Sequence, residues 1–584
     1  MPRRALVLLT ALLLAAGSLF ILARLLAGGR TGRADFTFAN GTDPRSLDPA
    51  KVTGSPEGRV LRALFEGLTG ADPVTLAPRP AAAERWEISA DGLRYTFHMR
   101  EEARWSDGSP VTAHDFEWSW RRLLEPATAG QYSYLLWPVV GAKGFHLGEL
   151  PWEAVGIRAP SVHLLEVELT RPVPYFLSLT SFFALFPVRR EALEGAPADA
   201  SPFTSPRWLV SNGPFSLAER RLRDRIRLRR NPRYWNRERV ALRSIDILAV
   251  ESSNTMLNLF LSGDAQWIVR VPRPVVPILM EDPRFARVFR PSPYFATHFL
   301  RINVTRPPFD DRELRRAFSL ASDRLEIVTR VTRAGEEPAW SFVPWPGPAV
   351  ERYRRAAHAR SGVEPPVVVP VPWYSRACVG RAGVIGDDDP ALAKDWARLG
   401  HDPEQARRIL RSRGYRVPAR RQDSGRSGGG ASGFTAGRAF PPFELMYNSD
   451  PLNEMIAEVL QAQWQRELGV EVRLRNLEWG SYLGAQRAHE YDLSRSSWIG
   501  DYLDPNTFLD VFLSDGPNNR TGWRNADYDR LIEEAATTAD AAARARLLHD
   551  ADLVVLEEMP IIPIFYYVTD GMAAEDVMGL GGNA

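Results

Sequence analysis

Apolar residues recur along this chain at two spacings, and the spacing changes from stretch to stretch. Phe36-Thr37-Phe38 alternates as a short strand, after which Leu61, Leu64, Phe65 and Leu68 fall at helical intervals until Gly67 and Gly70 end the pattern. Trp86-Glu87-Ile88, an Asp91-Gly92 turn, and Tyr95, Phe97 and Met99 alternating with Thr96, His98 and Arg100 predict a hairpin. Asp107-Gly108-Ser109-Pro110 turns the chain again. Thr112, three residues before Asp115, has the form of a capping box opening a helix with Phe116, Trp118, Trp120 and Leu123. Residues 209–268 repeat this mixture of strands and turns, ending on Ile245, Ile247 and Val250.

The second half is more regular. Phe443, Leu445 and Tyr447 alternate. Leu452, Met455, Ile456, Val459 and Leu460 then follow helical spacing, Gly469 stops the helix, and Val470, Val472 and Leu474 alternate once more. That order predicts a βαβ unit with parallel strands. A second amphipathic pattern, Leu547, Leu548, Ala551, Val554 and Val555, leads into an apolar strand over residues 561–568. Two stretches break the pattern. Residues 420–438 contain a Ser/Gly/Arg run with nothing to bury, which predicts a flexible surface loop over 419–439. Residues 351–396 are rich in Pro and Arg.

At the start, Met1-Pro2-Arg3-Arg4 precedes an apolar run over residues 5–23, the form of an export signal; its length also suits an uncleaved membrane anchor. The expectation is an extracytoplasmic, periplasmic chain, exported and touching the membrane only through this segment. No cysteine lies near it, so no lipid anchor is expected. The single cysteine, Cys378, excludes an intrachain disulfide and a multi-cysteine metal site, and reads as a small buried hydrophobe.

With 584 residues the chain exceeds one core, and two to four domains follow. A formal charge of +2 gives no electrostatic case for nucleic acid. Lys51, Lys143 and Lys394 are the only lysines, so the positive charge is almost all arginine, scattered among acids without a basic stripe. No His-Glu-x-x-His helix or phosphate-binding Gly-x-x-x-x-Gly-Lys loop occurs, so neither an enzyme nor a cofactor is predicted.

Several separated motifs carry a resemblance: Ser46-Leu47-Asp48-Pro49, Leu64-Phe65-Glu66-Gly67-Leu68, Asp91 through Phe97, Trp105 through Phe116, Asn212-Gly213-Pro214-Phe215, Asn231-Pro232-Arg233-Tyr234-Trp235, and Trp498 through Pro505. In number, order and spacing they resemble the family 5 extracytoplasmic solute-binding proteins of ABC importers, the dipeptide and oligopeptide receptors. The resemblance implies an α/β fold of the two-lobed periplasmic-binding-protein type, in its large class with an extra small domain, mixed sheets and a hinge. It implies a discontinuous lobe I (35–70 and 200–294, with the tail 568–584 returning to it), a small domain II (71–199) and a lobe III (295–567). The implied partners are short peptides and the permease and ATPase subunits of an importer, with the receptor a monomer. The same fold also serves nickel chelates, haem, opines and oligosaccharides.

A receptor that accepts many peptides must hold what they share, two charged ends and a backbone. By resemblance, Asp501 takes the ligand ammonium, Arg495 meets its carboxylate, and Ser497, Trp498, Ile499 and Gly500 lie along the backbone edge. Trp479 and Trp498 match aromatic pocket walls, and Glu57 and Tyr132 match residues near the ligand. Asn453 and Thr332 stand where a histidine and a lysine are known in one such receptor; by the resemblance either Arg333, beside Thr332, is a substitute cation or the accepted peptide length differs. On residues alone, Asp504 before Pro505 reads as a turn opener.

Overall fold

Two six-stranded mixed sheets and one four-stranded antiparallel sheet carry the chain in the computed structural model. It describes residues 33–72, 77–197, 202–289, 291–344, 400–419, 433–516, 518–538 and 540–578. The apolar segment 5–23, residues 351–396 with Cys378, the run 420–432 and residues 579–584 lie outside these. Among the described residues no helix is long and apolar enough to cross a membrane.

The first six-stranded sheet is assembled from distant parts of the chain. Phe36–Ala39 pairs in parallel with Ser244–Leu248 on one side and Trp267–Ile268 on the other. Arg225–Arg230 and then Phe215–Arg221 extend one flank antiparallel. Met572–Ala573, from near the end of the chain, pairs antiparallel with Trp267–Ile268 on the opposite flank. Between the early and later strands the chain forms the four-stranded sheet of Ala83–Ile88, Arg94–Met99, Leu164–Glu168 and Ile157–Ser161. Gly92 at φ +71° makes the hairpin turn that the Asp-Gly pair predicts. The Thr112 cap is also present: Asp115 accepts from the Thr112 backbone N–H at 2.7 Å and its hydroxyl at 2.9 Å, opening helix Ala113–Leu124. Phe116, Trp120 and Leu123 of that helix are buried in one cluster with Phe38 and Leu228 of the first sheet, so the two sheets share a continuous core.

The second six-stranded sheet runs in the order Glu337–Pro338, Ile561–Thr569, Ser292–Ile302, Leu493–Ile499, Phe443–Asn448, Val472–Leu477. Phe443–Asn448 and Val472–Leu477 are parallel and joined through helix Pro451–Leu468, the expected βαβ unit. Gly469 closes that helix at φ +69°. Its buried stripe is Ile456, Ala457, Leu460, Trp464 and Leu468, and Met455 stands 37% exposed at its edge. The apolar pattern therefore misplaced Met455. Polar side chains share the buried face: the Gln463 Oε1 accepts from the Asp323 N–H at 2.9 Å, and Glu467 pairs with Arg407 at 2.7 Å.

The chain crosses between the two large sheets twice, side by side. Ser292 pairs with Thr569 in the second sheet, while Phe289 bridges Met572 at the first. Arg273 holds this crossing by ion pairs to Glu336 at 2.8 Å and Asp570 at 3.2 Å. Two short neighbouring strands are a narrow connection, and they leave the lobes a hinge.

Candidate functional site: an open strand edge between two charges

Strand Leu493–Ile499 pairs along its whole length with Ser292–Ile302, from Leu493 opposite Ile302 to Ile499 opposite Ala296. Its other edge is different. Phe443–Asn448 pairs with it only at Leu493 and Ser494, then diverges to follow Val472–Leu477 out to Asn448. From Arg495 to Ile499 no strand lies beside that edge among the described residues. Backbone N–H and C=O groups on such an edge need partners, and an extended chain supplies them. Part of it is already occupied, since the Arg495 carbonyl accepts from the Tyr482 hydroxyl and from Gln486 Nε2. Both belong to helix Trp479–Arg487. Trp479, its first residue, stacks on Tyr482 at 5.6 Å and is 44% exposed.

The strand ends tightly. Gly500 donates its N–H to the Phe295 carbonyl at 2.8 Å, and a Cβ there would lie 2.3 Å from the Phe295 ring. Only glycine fits this approach, and it delivers the chain to Asp501.

Asp501 joins parts of the molecule far apart in sequence. Tyr132 donates to its Oδ1 at 3.3 Å and Tyr134 to its Oδ2 at 3.1 Å; its backbone N–H is held by Thr507 Oγ1 at 3.0 Å. No cation pairs with this carboxylate among the described residues. Burial pushes it up to about 7, and the two phenol bonds only partly offset that. The Tyr132 ring is fixed edge-on against Phe182 and Phe183.

At the other end of the edge, Arg495 reaches Asn448 Oδ1 at 3.2 Å and the Tyr567 hydroxyl at 2.8 Å, with its Nε buried and unpartnered. Asn453 donates to the same Asn448 oxygen at 3.1 Å, so the two residues share an anchor. A guanidinium only donates, which leaves the Tyr567 proton for His298 Nδ1 at 3.0 Å. Burial and the Arg495 charge keep that imidazole neutral. Arg495 is thus aimed by a relay and has no carboxylate in ion-pair contact among the described residues.

Beyond Asp501 the chain is locked in place. Asp504 takes both Arg544 nitrogens at 2.7 and 2.8 Å and accepts from the Asn506 N–H at 2.9 Å, combining an ion pair with the turn role its place before Pro505 predicts. Tyr502 stacks on Tyr175 at 4.4 Å, and Asn506 donates to the Tyr175 hydroxyl at 3.0 Å. Tyr502 and Asn506 also face Asp510, which burial and then the Asp501 charge push up to about 8.

The structure therefore gathers Asp501, Tyr132, Arg495, Asn453, Ser497, Trp498, Ile499 and Gly500 around one edge, with Trp479 beside it. Trp498 is half-buried against the cluster that holds Phe508, and its Nε1 is buried without a hydrogen-bond partner among the described residues. Two predicted residues are placed differently. Glu57 spends one oxygen on the Arg45 N–H at 3.1 Å, and Arg333 is an exposed left-handed residue at φ +60°, with no bond linking it to Asp501 or Arg495 among the described residues. Sequence reasoning missed Tyr134, Asn448, Tyr567 and His298, which lie in four separate stretches with no spacing to connect them. Among the described residues no three His, Cys, Asp or Glu side chains gather as a metal set requires.

The profile of "Bacterial extracellular solute-binding proteins, family 5 Middle" matches residues 77–520. The periplasmic oligopeptide-binding protein OppA of Salmonella typhimurium is 32% identical over 547 residues, covering 93% of this chain and 89% of that protein. The oligopeptide-binding protein OppA of Bacillus subtilis is 30% identical over 553 residues, covering 92% and 88%. The crystal structure of Haemophilus influenzae OppA in complex with the peptide RPPGFSPFR superposes with a TM-score of 0.73 at 29% identity, over 94% of this chain and 96% of that one.

Proposed function

Because this chain belongs to the family 5 bacterial extracellular solute-binding proteins, we propose that it is the substrate-capturing subunit of a peptide ABC importer, working outside the inner membrane and catalysing nothing. One observation carries the reading: an unpaired strand edge stands between a buried carboxylate, Asp501, and a relay-held guanidinium, Arg495. The ligand ammonium binds Asp501, its backbone adds to the edge from Arg495 to Ile499, and its carboxylate turns toward Arg495. The six residue steps from Arg495 to Asp501 span at most roughly 20 Å, which suits a ligand of about three to five residues.

The buried carboxylate with no ion-pair partner makes an ammonium the natural ligand. The peptide-binding relatives, one of them with a peptide bound, support the same reading. Permease and ATPase subunits are its implied partners, and an N-terminal signal or anchor its route of export. Calorimetry against a mixed library of short peptides, a nickel chelate, haem, an opine and a cello-oligosaccharide tests it. Saturable peptide binding is the expected result. Binding of a non-peptide alone overturns the substrate class, and peptide turnover overturns the non-catalytic role.

A further inference from the structure

A second group of cations lies on the opposite face of the same strand. Arg301, 3% exposed, donates from Nε to Ser496 Oγ at 3.1 Å and from Nη1 to the Asn518 carbonyl at 3.0 Å. Arg520 donates from Nη1 to Gln486 Oε1 at 3.2 Å, and its Nε is buried without a partner. No carboxylate lies within ion-pair distance of either guanidinium among the described residues. Burial, then the charges of Arg301 and Arg487, push Arg520 down to about 10. Elsewhere in this arginine-rich chain the buried guanidiniums of Arg227, Arg407 and Arg544 each pair with an acid at 2.5 to 2.7 Å, and that of Arg315 is saturated by backbone carbonyls. Like charges brought together away from water without an anion are costly, and a site that tolerates them gains most when an anion arrives.

Position says which anion. Ser494, Ser496 and Trp498 share one face of the strand, and Arg495, Ser497 and Ile499 the other. A peptide added along the open edge sends alternate side chains to the two faces, so one of them meets Arg301 and Arg520 beside Trp498. Ser496 lies five residues from Asp501, at most roughly 17 Å, since the strand ends at Ile499. Allowing for the reach of the carboxylate and the ammonium, this places the second or third ligand residue at the pair.

We propose that Arg301 and Arg520 form a subsite for an acidic side chain, so that the receptor prefers peptides with aspartate or glutamate at the second or third position. This rests on the peptide reading above. Tetrapeptides built on alanine, with Glu or Lys at position two or at position three, are titrated by calorimetry into the full chain and into Arg520→Gln. At one of the two positions the Glu peptide is expected to bind at least 10-fold tighter than its Lys counterpart. In Arg520→Gln, checked for an unchanged thermal melt, that ratio falls below 3. Should Arg520→Gln not fold, Arg520→Lys, which keeps the charge but loses the planar fork, is expected to retain a ratio between the two. Equal binding of Glu and Lys peptides at both positions, or a ratio unmoved by the Arg520 changes, overturns the subsite while leaving peptide capture standing. Failure of all four peptides to bind overturns peptide capture itself, and the subsite with it.

Discussion

Tyr134 and Asp501, 367 positions apart in sequence, meet through a 3.1 Å hydrogen bond from phenol to carboxylate. With the parallel bond from Tyr132, it ties the region of the four-stranded sheet to the end of the open strand edge. The carboxylate proposed to receive the ligand ammonium is thus already covered by two hydroxyls. They satisfy it as hydrogen-bond donors and leave its charge without a counterion among the described residues.

Removing that charge is expected to weaken binding and spare folding. Stranding one member of a desolvated pair costs about 2–5 kcal/mol, so Asp501→Asn or Asp501→Ala is predicted to reduce peptide affinity by roughly 30-fold or more. An amino-acetylated peptide binds the wild type weakly and loses nothing further in the variant. Additive losses in calorimetry would mean that Asp501 is not the ammonium partner.

Affinity should rise with pH. Asp501 sits at about 7 in the empty protein, so below that it holds a proton which an arriving ammonium must displace. Peptide affinity is expected to climb from pH 5 to about pH 7 and then level off. Proton release, read from calorimetry in buffers of different ionisation enthalpy, should appear over the same range. Stability of the empty protein runs the other way. Because burial raises Asp501 to about 7 and Asp510 to about 8 from the usual 3.8, the folded chain holds protons the unfolded chain has lost, and melting temperature should fall as pH rises from about 4 to 8.

Tyr132→Phe with Tyr134→Phe removes both phenol donors. Each bond contributes roughly 1 kcal/mol, so the pair should move the midpoint of the affinity–pH curve up by about one and a half units. An unmoved midpoint would mean that the hydroxyls do not govern Asp501.

Arg544→Met leaves Asp504 buried and unpaired, and is expected to cost about 3–5 kcal/mol of stability in denaturant unfolding. Asp504→Asn strands the buried Arg544 guanidinium while its side-chain oxygen can still accept from the Asn506 N–H, so it should cost a comparable amount. Small losses in both variants would assign the stability to the turn and not to the ion pair.

Much of the fold was legible because local signals agree with it. The Thr112 cap, the Asp91-Gly92 turn and the stop at Gly469 each act over four residues or fewer, and the pattern from Phe443 to Leu474 set the βαβ unit. Met455 was misplaced because the helix buries Asn453, Gln463 and Glu467 on hydrogen bonds and an ion pair, which apolar periodicity does not register. At the site, the run from Trp498 to Asp501 stood out by its own mixture of residues and Tyr132 by resemblance, but Tyr134, which also covers Asp501, carried no signal of its own. Arg301 and Arg520 were hidden differently. In a chain whose cations are nearly all arginine, an arginine without an acid looks in sequence like any other.

The divergence of Phe443–Asn448 from Leu493–Ile499 after two paired residues has one more consequence. An edge made of main-chain groups reads the presence of hydrogens on nitrogen before it reads any side chain. A helical or folded segment cannot lie along it, since its own amides are already engaged. A proline whose nitrogen falls against an edge carbonyl leaves that carbonyl unmet, while a proline one residue along points outward at no loss. On the peptide reading proposed above, the wedge between the two strands would act as a sieve for conformation, sorting chains by where their amide hydrogens are missing.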